Sequence, residues 1–162
     1  MNAAALPSLL SELKKTPITL ARLFDGLTVE DLAWKPSPAE FSILENVCHL
    51  RDIEEEGYLV RVRMLRAEAH PLLPDIDGDR LAVERRYNEQ PLQPAYDRFV
   101  RARKFATKAV ADATDADLAR PGTLEKAGPV TLGSLLEMMR GHDAEHLQAI
   151  RSLRERILAR RA

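Results

Sequence analysis

The chain has 162 residues, 24 basic against 25 acidic side chains, a net charge of −1 and 45% hydrophobic residues, which suits a single domain over residues 1–162 with its own core. Charges that nearly cancel give no global attraction for nucleic acid or for an anionic membrane surface, and no apolar run approaches the ~20 residues of a membrane span. One cysteine, Cys48, excludes an internal disulfide, and Met1–Pro7 has neither a basic leader nor an apolar run, so a cytoplasmic, reducing setting is expected.

Four long amphipathic segments predict four helices. The first runs from about Ser8 to Asp25, with Leu9, Leu10, Leu13, Leu20, Leu23 and Phe24 on its apolar face, and Gly26 ends it. After it, Thr28–Ala33 reads as a one-turn helix capped by threonine. The second long helix opens at Ser42. Ser42-Ile43-Leu44-Glu45 has the form of a capping box, and the helix continues to about Arg66, before Pro71. Its connection to the next helix, about His70 to Gln93, is long for a bundle and predicts a short helix near Asp79–Arg86. The third long helix runs from about Pro94 to Ala113 with Tyr96, Phe99, Phe105 and Val110 inward, and Thr114–Ala119 repeats the threonine-capped turn. The fourth opens at Thr131 after Gly128-Pro129 and continues to about Ala159. No stretch alternates with period two for long, so strands are not expected. The fold class is all-α, a four-helix bundle.

Chemistry enters on the fourth helix. Leu132, Leu135, Met139, Ile150, Leu153 and Ile157 repeat at steps of three and four, and His142 and His146 fall into the same rhythm. Two histidines four apart share a helix face, with Cβ atoms roughly 5–6 Å apart, close enough to reach one metal ion. A bare imidazole on a core-facing stripe is costly unless something satisfies it. A core histidine can also be a hydrogen-bonded packing residue. A third histidine changes the weighing. His49 lies seven residues beyond the Ser42 cap, at the border of an apolar stripe (Ile43, Val47, Leu50) and an acidic one (Glu45, Asp52, Glu56), at a depth like that of His142. Three imidazoles from two helices then converge. Such a set suits zinc, nickel, copper or iron and leaves a coordination position open. Glu45, Asp52, Glu56, Asp143 and Glu145 are candidates to fix imidazole tautomers, to add a ligand or to carry protons, with solvated helix faces as the alternative.

Other motifs fit poorly. His142-Asp143-Ala144-Glu145-His146 matches the inverted zinc-protease pattern, but too few residues follow it to supply that family's further acidic ligand. No Glu-x-x-His pair occurs, which argues against a ferritin-like di-iron centre. Asp75–Asp79 hints at a calcium loop, yet Arg86 stands where the closing glutamate belongs, so it reads as a polar turn. Cys48 reads as a packing residue, His70 as a solvated loop residue, and Arg151, Arg154, Arg156, Arg160 and Arg161 as a wet helix end, with a weak anion site as the alternative. No catalytic side chain is singled out.

Two segments carry a family resemblance: Trp34-Lys35-Pro36 through Phe41-Ser42-Ile43-Leu44-Glu45-Asn46-Val47-Cys48-His49-Leu50, and Gly128-Pro129-Val130-Thr131-Leu132-Gly133 followed by His142-Asp143-Ala144-Glu145-His146-Leu147. Together they resemble the DinB-like (YfiT-like) metalloprotein family over nearly the whole chain. The resemblance implies an up-down-down-up bundle, a divalent metal held by His49, His142 and His146, with zinc or nickel foremost, and frequent homodimers. Leu59, Val62 and Leu65, spare apolar residues beyond the inward stripe of the second helix, are the expected dimer face. Members include thiol-dependent transferases using mycothiol or bacillithiol, a maleylpyruvate isomerase branch and many proteins of unknown activity. The expected activity is metal-assisted transfer of a low-molecular-weight thiol to a small electrophile. The alternatives are metal-dependent hydrolysis and a non-catalytic, metal-binding stress-response role. The expected partner is a small molecule, with neither nucleic acid nor membrane.

Overall fold

The computed structural model describes residues 1–161. Its helices are α1 (Leu6–Phe24), α2 (Val29–Ala33), α3 (Ile43–Asp52), α4 (Leu59–Ala67), α5 (Gly78–Glu84), α6 (Leu92–Ala109), α7 (Asp115–Leu118) and α8 (Leu132–Ala159). A π-helical stretch, Ile53–Tyr58, joins α3 to α4 in one continuous second long helix, and a 3-10 turn, Tyr87–Glu89, precedes α6. The four long helices, the short helix at α5 and both threonine-capped turns form where the sequence predicts them. Thr28 and Thr114 each accept from the backbone three residues on, while Asp31 and Asp117 bond back to the cap.

The second long helix and α1 each pack against α6 and α8, so the first two long helices occupy opposite corners. Thr16 meets Asp143 and Leu23 meets Arg154, so α1 and α8 run parallel. Asn46 meets His146 while Tyr58, further along, meets His142, so the second long helix opposes α8. Leu13 meets Arg103 and Pro17 meets Tyr96, so α6 opposes α1. The result is the up-down-down-up bundle.

A small sheet is the element the sequence does not announce. β1 (Leu72–Leu73) pairs in parallel with β2 (Pro121–Leu124), which pairs antiparallel with β3 (Gly128–Thr131). β1 has only two residues, and β2 and β3 have four each with a proline and a glycine among them, so no period-two signal exists to read. The β2–β3 turn is shaped by Lys126 and Gly128, both at positive φ.

Two further expectations are corrected. Phe105 is exposed, because Phe99, Ala102, Ala106 and Val110 set the inward stripe of α6 and Phe105 falls on the opposite side. Leu59, Val62 and Leu65 are buried in the bundle's own core and so form no dimer face.

That core is in two parts. Leu6, Leu9, Leu10, Leu13, Val62, Leu65, Leu132, Leu135 and Met139 belong to one, and Leu20, Ile43, Val47, Leu50, Phe99, Ile150 and Leu153 to the other. Between them each long helix contributes polar side chains: Thr16, Glu54, Arg103, and His142 with Asp143. Among the described residues, no helix is long and apolar enough to cross a membrane.

Candidate metal centre

The second long helix is fixed at its start. Ser42 Oγ accepts from the Glu45 amide at 3.0 Å and Glu45 Oε2 accepts from the Ser42 amide at 2.8 Å. Asn46, in the first turn, donates from Nδ2 to the Ser42 carbonyl at 2.8 Å, which orients its amide. One turn on, His49 points to α8, where His142 and His146 share a face. Their ligand nitrogens all lie within 4.8 Å of one another. The predicted trio therefore converges.

The Nε2 atoms of His49 and His142 are 3.1 Å apart. Two nitrogens bound to one ion at about 2.0–2.1 Å stand about 2.9 Å apart at a right angle and about 3.3 Å apart at a tetrahedral angle, so the spacing fits a shared cation. His146 Nδ1 lies 2.7 Å from Asn46 Oδ1. The ring donates there, because Asn46 is already turned to offer oxygen, and its Nε2 lone pair is left for the centre. Protonation is disfavoured throughout. Burial, then the neighbouring His49, Arg103 and Arg61, bring His142 down to about 3, and burial with the other two histidines does the same to His146. Burial lowers His49 too, against the pull of Asp79 and Asp52. Three neutral imidazoles aimed at one point are the donor set that zinc, nickel, copper or iron accepts.

His49 is held from the other side by α5. A Cβ on Gly78 would lie 2.3 Å from its Cε1 and 2.6 Å from its Nδ1, so only glycine lets the helix start pack against that ring. His49 Nδ1 is buried there without a partner. Phe41 and Tyr58 complete the walls, with ring centroids 5.8 Å from His49 and 5.9 Å from His142.

None of the predicted acidic helpers hydrogen-bonds to an imidazole. Glu45 is consumed by the cap and by Lys35 at 2.9 Å. Asp52 accepts from Arg51, Arg85 and Tyr87, and Glu56 from Arg85. Glu145 is exposed. Asp143 joins a buried ionic layer: Arg103 reaches Asp143 at 2.6 and 2.8 Å, Glu54 at 2.8 and 2.9 Å, and the Leu13 carbonyl at 2.9 Å, while Thr16 donates to Asp143 at 2.6 Å. Arg103 thus ties its own helix to the other three long helices at the level of the histidines.

Asn46, Gly78 and Arg103 carry the site without having been singled out in the sequence. Asn46 had a signal, lying one turn before His49. A lone arginine in a charged stretch had none. Cys48 is fully buried and its thiol is pushed up to about 11 by burial, in keeping with packing. His70 is exposed beside Thr123. The basic end of α8 is more structural than expected: Arg154 donates to the carbonyls of Leu23 and Asp25, and Arg156 and Arg160 lie over the Trp34 ring.

The family model described as the DinB superfamily matches residues 12–150. No curated protein matches the chain. Among solved structures, YfiT from Bacillus subtilis, described as a probable metal-dependent hydrolase with an unusual four-helix bundle topology, superposes with a TM-score of 0.89. The likeness covers 97% of this chain and 90% of that one at 16% identity, and it shows a shared fold.

Proposed function

The chain belongs to the DinB superfamily, and from that premise we propose that it is a metal-dependent enzyme acting on a small molecule, with His49, His142 and His146 holding one divalent transition metal, zinc or nickel. The observation that carries this reading is the convergence of three neutral imidazoles, two with Nε2 atoms 3.1 Å apart and one with its tautomer set by Asn46. When bound, the ion supplies Lewis acidity and lowers the pKa of a thiol or water at its open position.

The first reading is transfer of a low-molecular-weight thiol to a small electrophile. The surrounding residues support it by what they withhold. Cys48 is sealed away and protonated at neutral pH, so it offers no nucleophile. Asp52, Glu54, Glu56 and Asp143 are each bound to arginine, so none of these four carboxylates is free to act as a general base. An external thiol needs that help less than water does, since its own pKa starts near 8.5. Such thiols are kept reduced in the cytoplasm, which is where this reading sets the protein. Hydrolysis is the second reading, favoured by the fold shared with YfiT and its description as a hydrolase.

The test is metal analysis of the purified protein, followed by thiol-conjugation and ester-hydrolysis screens. One metal per chain and thiol conjugation that is lost on chelation and in His142→Ala support the first reading. Turnover of esters alone selects the second. Metal without turnover in either screen leaves a binding role.

A further inference from the structure

Among the described residues three arginines are buried: Arg51, Arg61 and Arg103. Arg51 is paired with Asp52, and Arg103 with both Glu54 and Asp143. Arg61 has no carboxylate. Its Nε donates to the Pro74 carbonyl at 2.9 Å, and its four Nη hydrogens meet no acceptor among the described residues. Asp75, whose charge reaches it, is bound to Lys126 at 2.9 Å. A sheltered guanidinium without a counter-ion is costly and calls for an anion from elsewhere.

Its placement says where that anion would lie. A Cβ on Gly57 would come within 3.4 Å of Arg61 Nη1 and 3.5 Å of its Cζ, so the guanidinium lies back along its own helix, towards the histidines. Cζ sits 5.7 Å over the Tyr58 ring, and that ring is 5.9 Å from His142. Among the described residues the Tyr58 hydroxyl also has no hydrogen-bond partner. Neither these Nη atoms nor the hydroxyl are completely sealed, so each keeps some contact with solvent although both residues are buried.

We propose that Arg61, with the Tyr58 hydroxyl beside it, forms an anion subsite next to the three histidines, and that the substrate is a small carboxylate-bearing molecule. The planar fork of an arginine takes a carboxylate through two parallel hydrogen bonds, and one guanidinium balances one carboxylate charge. The proposal rests on the reading of the histidine cluster as a metal centre, and it supplies what that reading lacks, a grip on the far end of the substrate.

The experiment titrates the cobalt-loaded protein with 3-mercaptopropionate and 4-mercaptobutyrate, and with the alcohols of the same length, following the thiolate-to-cobalt band. In wild type at least one acid should half-saturate the site at about tenfold lower concentration than its alcohol, the size of a charge-assisted pair. In Arg61→Met that ratio should fall close to one, with the alcohols unchanged, and Arg61→Lys should keep part of it. A preference that survives intact in Arg61→Met is chelation by the metal and overturns the subsite, as does equal binding of acid and alcohol in wild type. If cobalt binds but no thiol band forms, the thiol reading alone has failed. Succinate is then compared with succinamide through the cobalt d–d bands, and equal affinity overturns the proposal. If no cobalt binds, the metal reading has failed. The same pair is then compared through the arginine side-chain N–H resonances, and the absence of any Arg61 shift with succinate overturns it.

Discussion

Asn46 and His146 meet across the bundle, Oδ1 to Nδ1 at 2.7 Å, and that one bond decides which nitrogen of the ring faces the other two histidines. The Asn46 amide is locked in turn by the Ser42 carbonyl. Asn46→Ala is expected to lower metal affinity about 10–100-fold while leaving all three histidines in place. Competition against a chromophoric chelator measures it, and unchanged affinity would show that the tautomer is set by something else.

Removing Arg103 has a different signature. Arg103→Met leaves Glu54 and Asp143 buried and uncompensated, and is expected to cost about 3–5 kcal/mol in urea unfolding. Combining it with Glu54→Gln and Asp143→Asn removes the stranded charges, so the triple variant should regain much of the loss. A triple variant no more stable than the single would mean that Arg103 acts chiefly through packing.

Gly78→Ala separates site geometry from stability. The new methyl would occupy the space of the His49 ring edge, and the ring can swing aside at small cost to the fold. Metal affinity should drop by roughly tenfold or more, because a displaced ligand no longer meets the other two. Helicity and unfolding midpoint should barely move. Full metal binding by this variant would show that His49 tolerates another rotamer.

Acid should destabilise the metal-free protein through the same histidines. Folding holds His142 and His146 near 3, below the unfolded value of 6.5, so the folded state binds fewer protons between those limits. Their contribution is therefore fully present above about pH 6.5 and is lost progressively as pH falls towards 3. Between pH 7.5 and 5 the loss should be roughly 1–3 kcal/mol after allowance for partial exposure. Urea midpoints across that range, in chelator, should flatten when both histidines are replaced by glutamine. Parallel profiles for wild type and variant would count against the assignment.

Cys48 is expected to be silent. Fully buried and held protonated, it should resist a disulfide reagent in the native protein and react only on unfolding. Cys48→Ala should keep its metal and any turnover. Rapid native labelling would contradict the buried position.

The bundle was legible because its signals are local. The Ser42 and Thr131 caps, the apolar steps of three and four on α8, and the i, i+4 pair of His142 and His146 all lie within single helices. Convergence with His49 could be anticipated from depth along two helices. What stayed hidden depends on partners distant in sequence. Arg103 reads like any helical arginine until Glu54 and Asp143 close on it from two other helices. Asp52, Glu56 and Asp143 looked like helpers for imidazole, but Arg51, Arg85 and Arg103 claim them first. The sheet escaped because its longest strands have four residues.

The π-helical stretch Ile53–Tyr58 acts as a phase adjuster between the two halves of its helix. One residue more than an α-helix needs amounts to about 100° of rotation. With it, His49 and Tyr58 both face α8 although nine positions separate them. Deleting any one residue there would leave hydrophobic composition and helix propensity almost untouched. It would nonetheless turn the Ser42–Asp52 segment against the Leu59–Ala67 segment, so that either the histidine or the core leucines must face the wrong way. Within this helix, length is thus as strict a specification as the identity of any side chain.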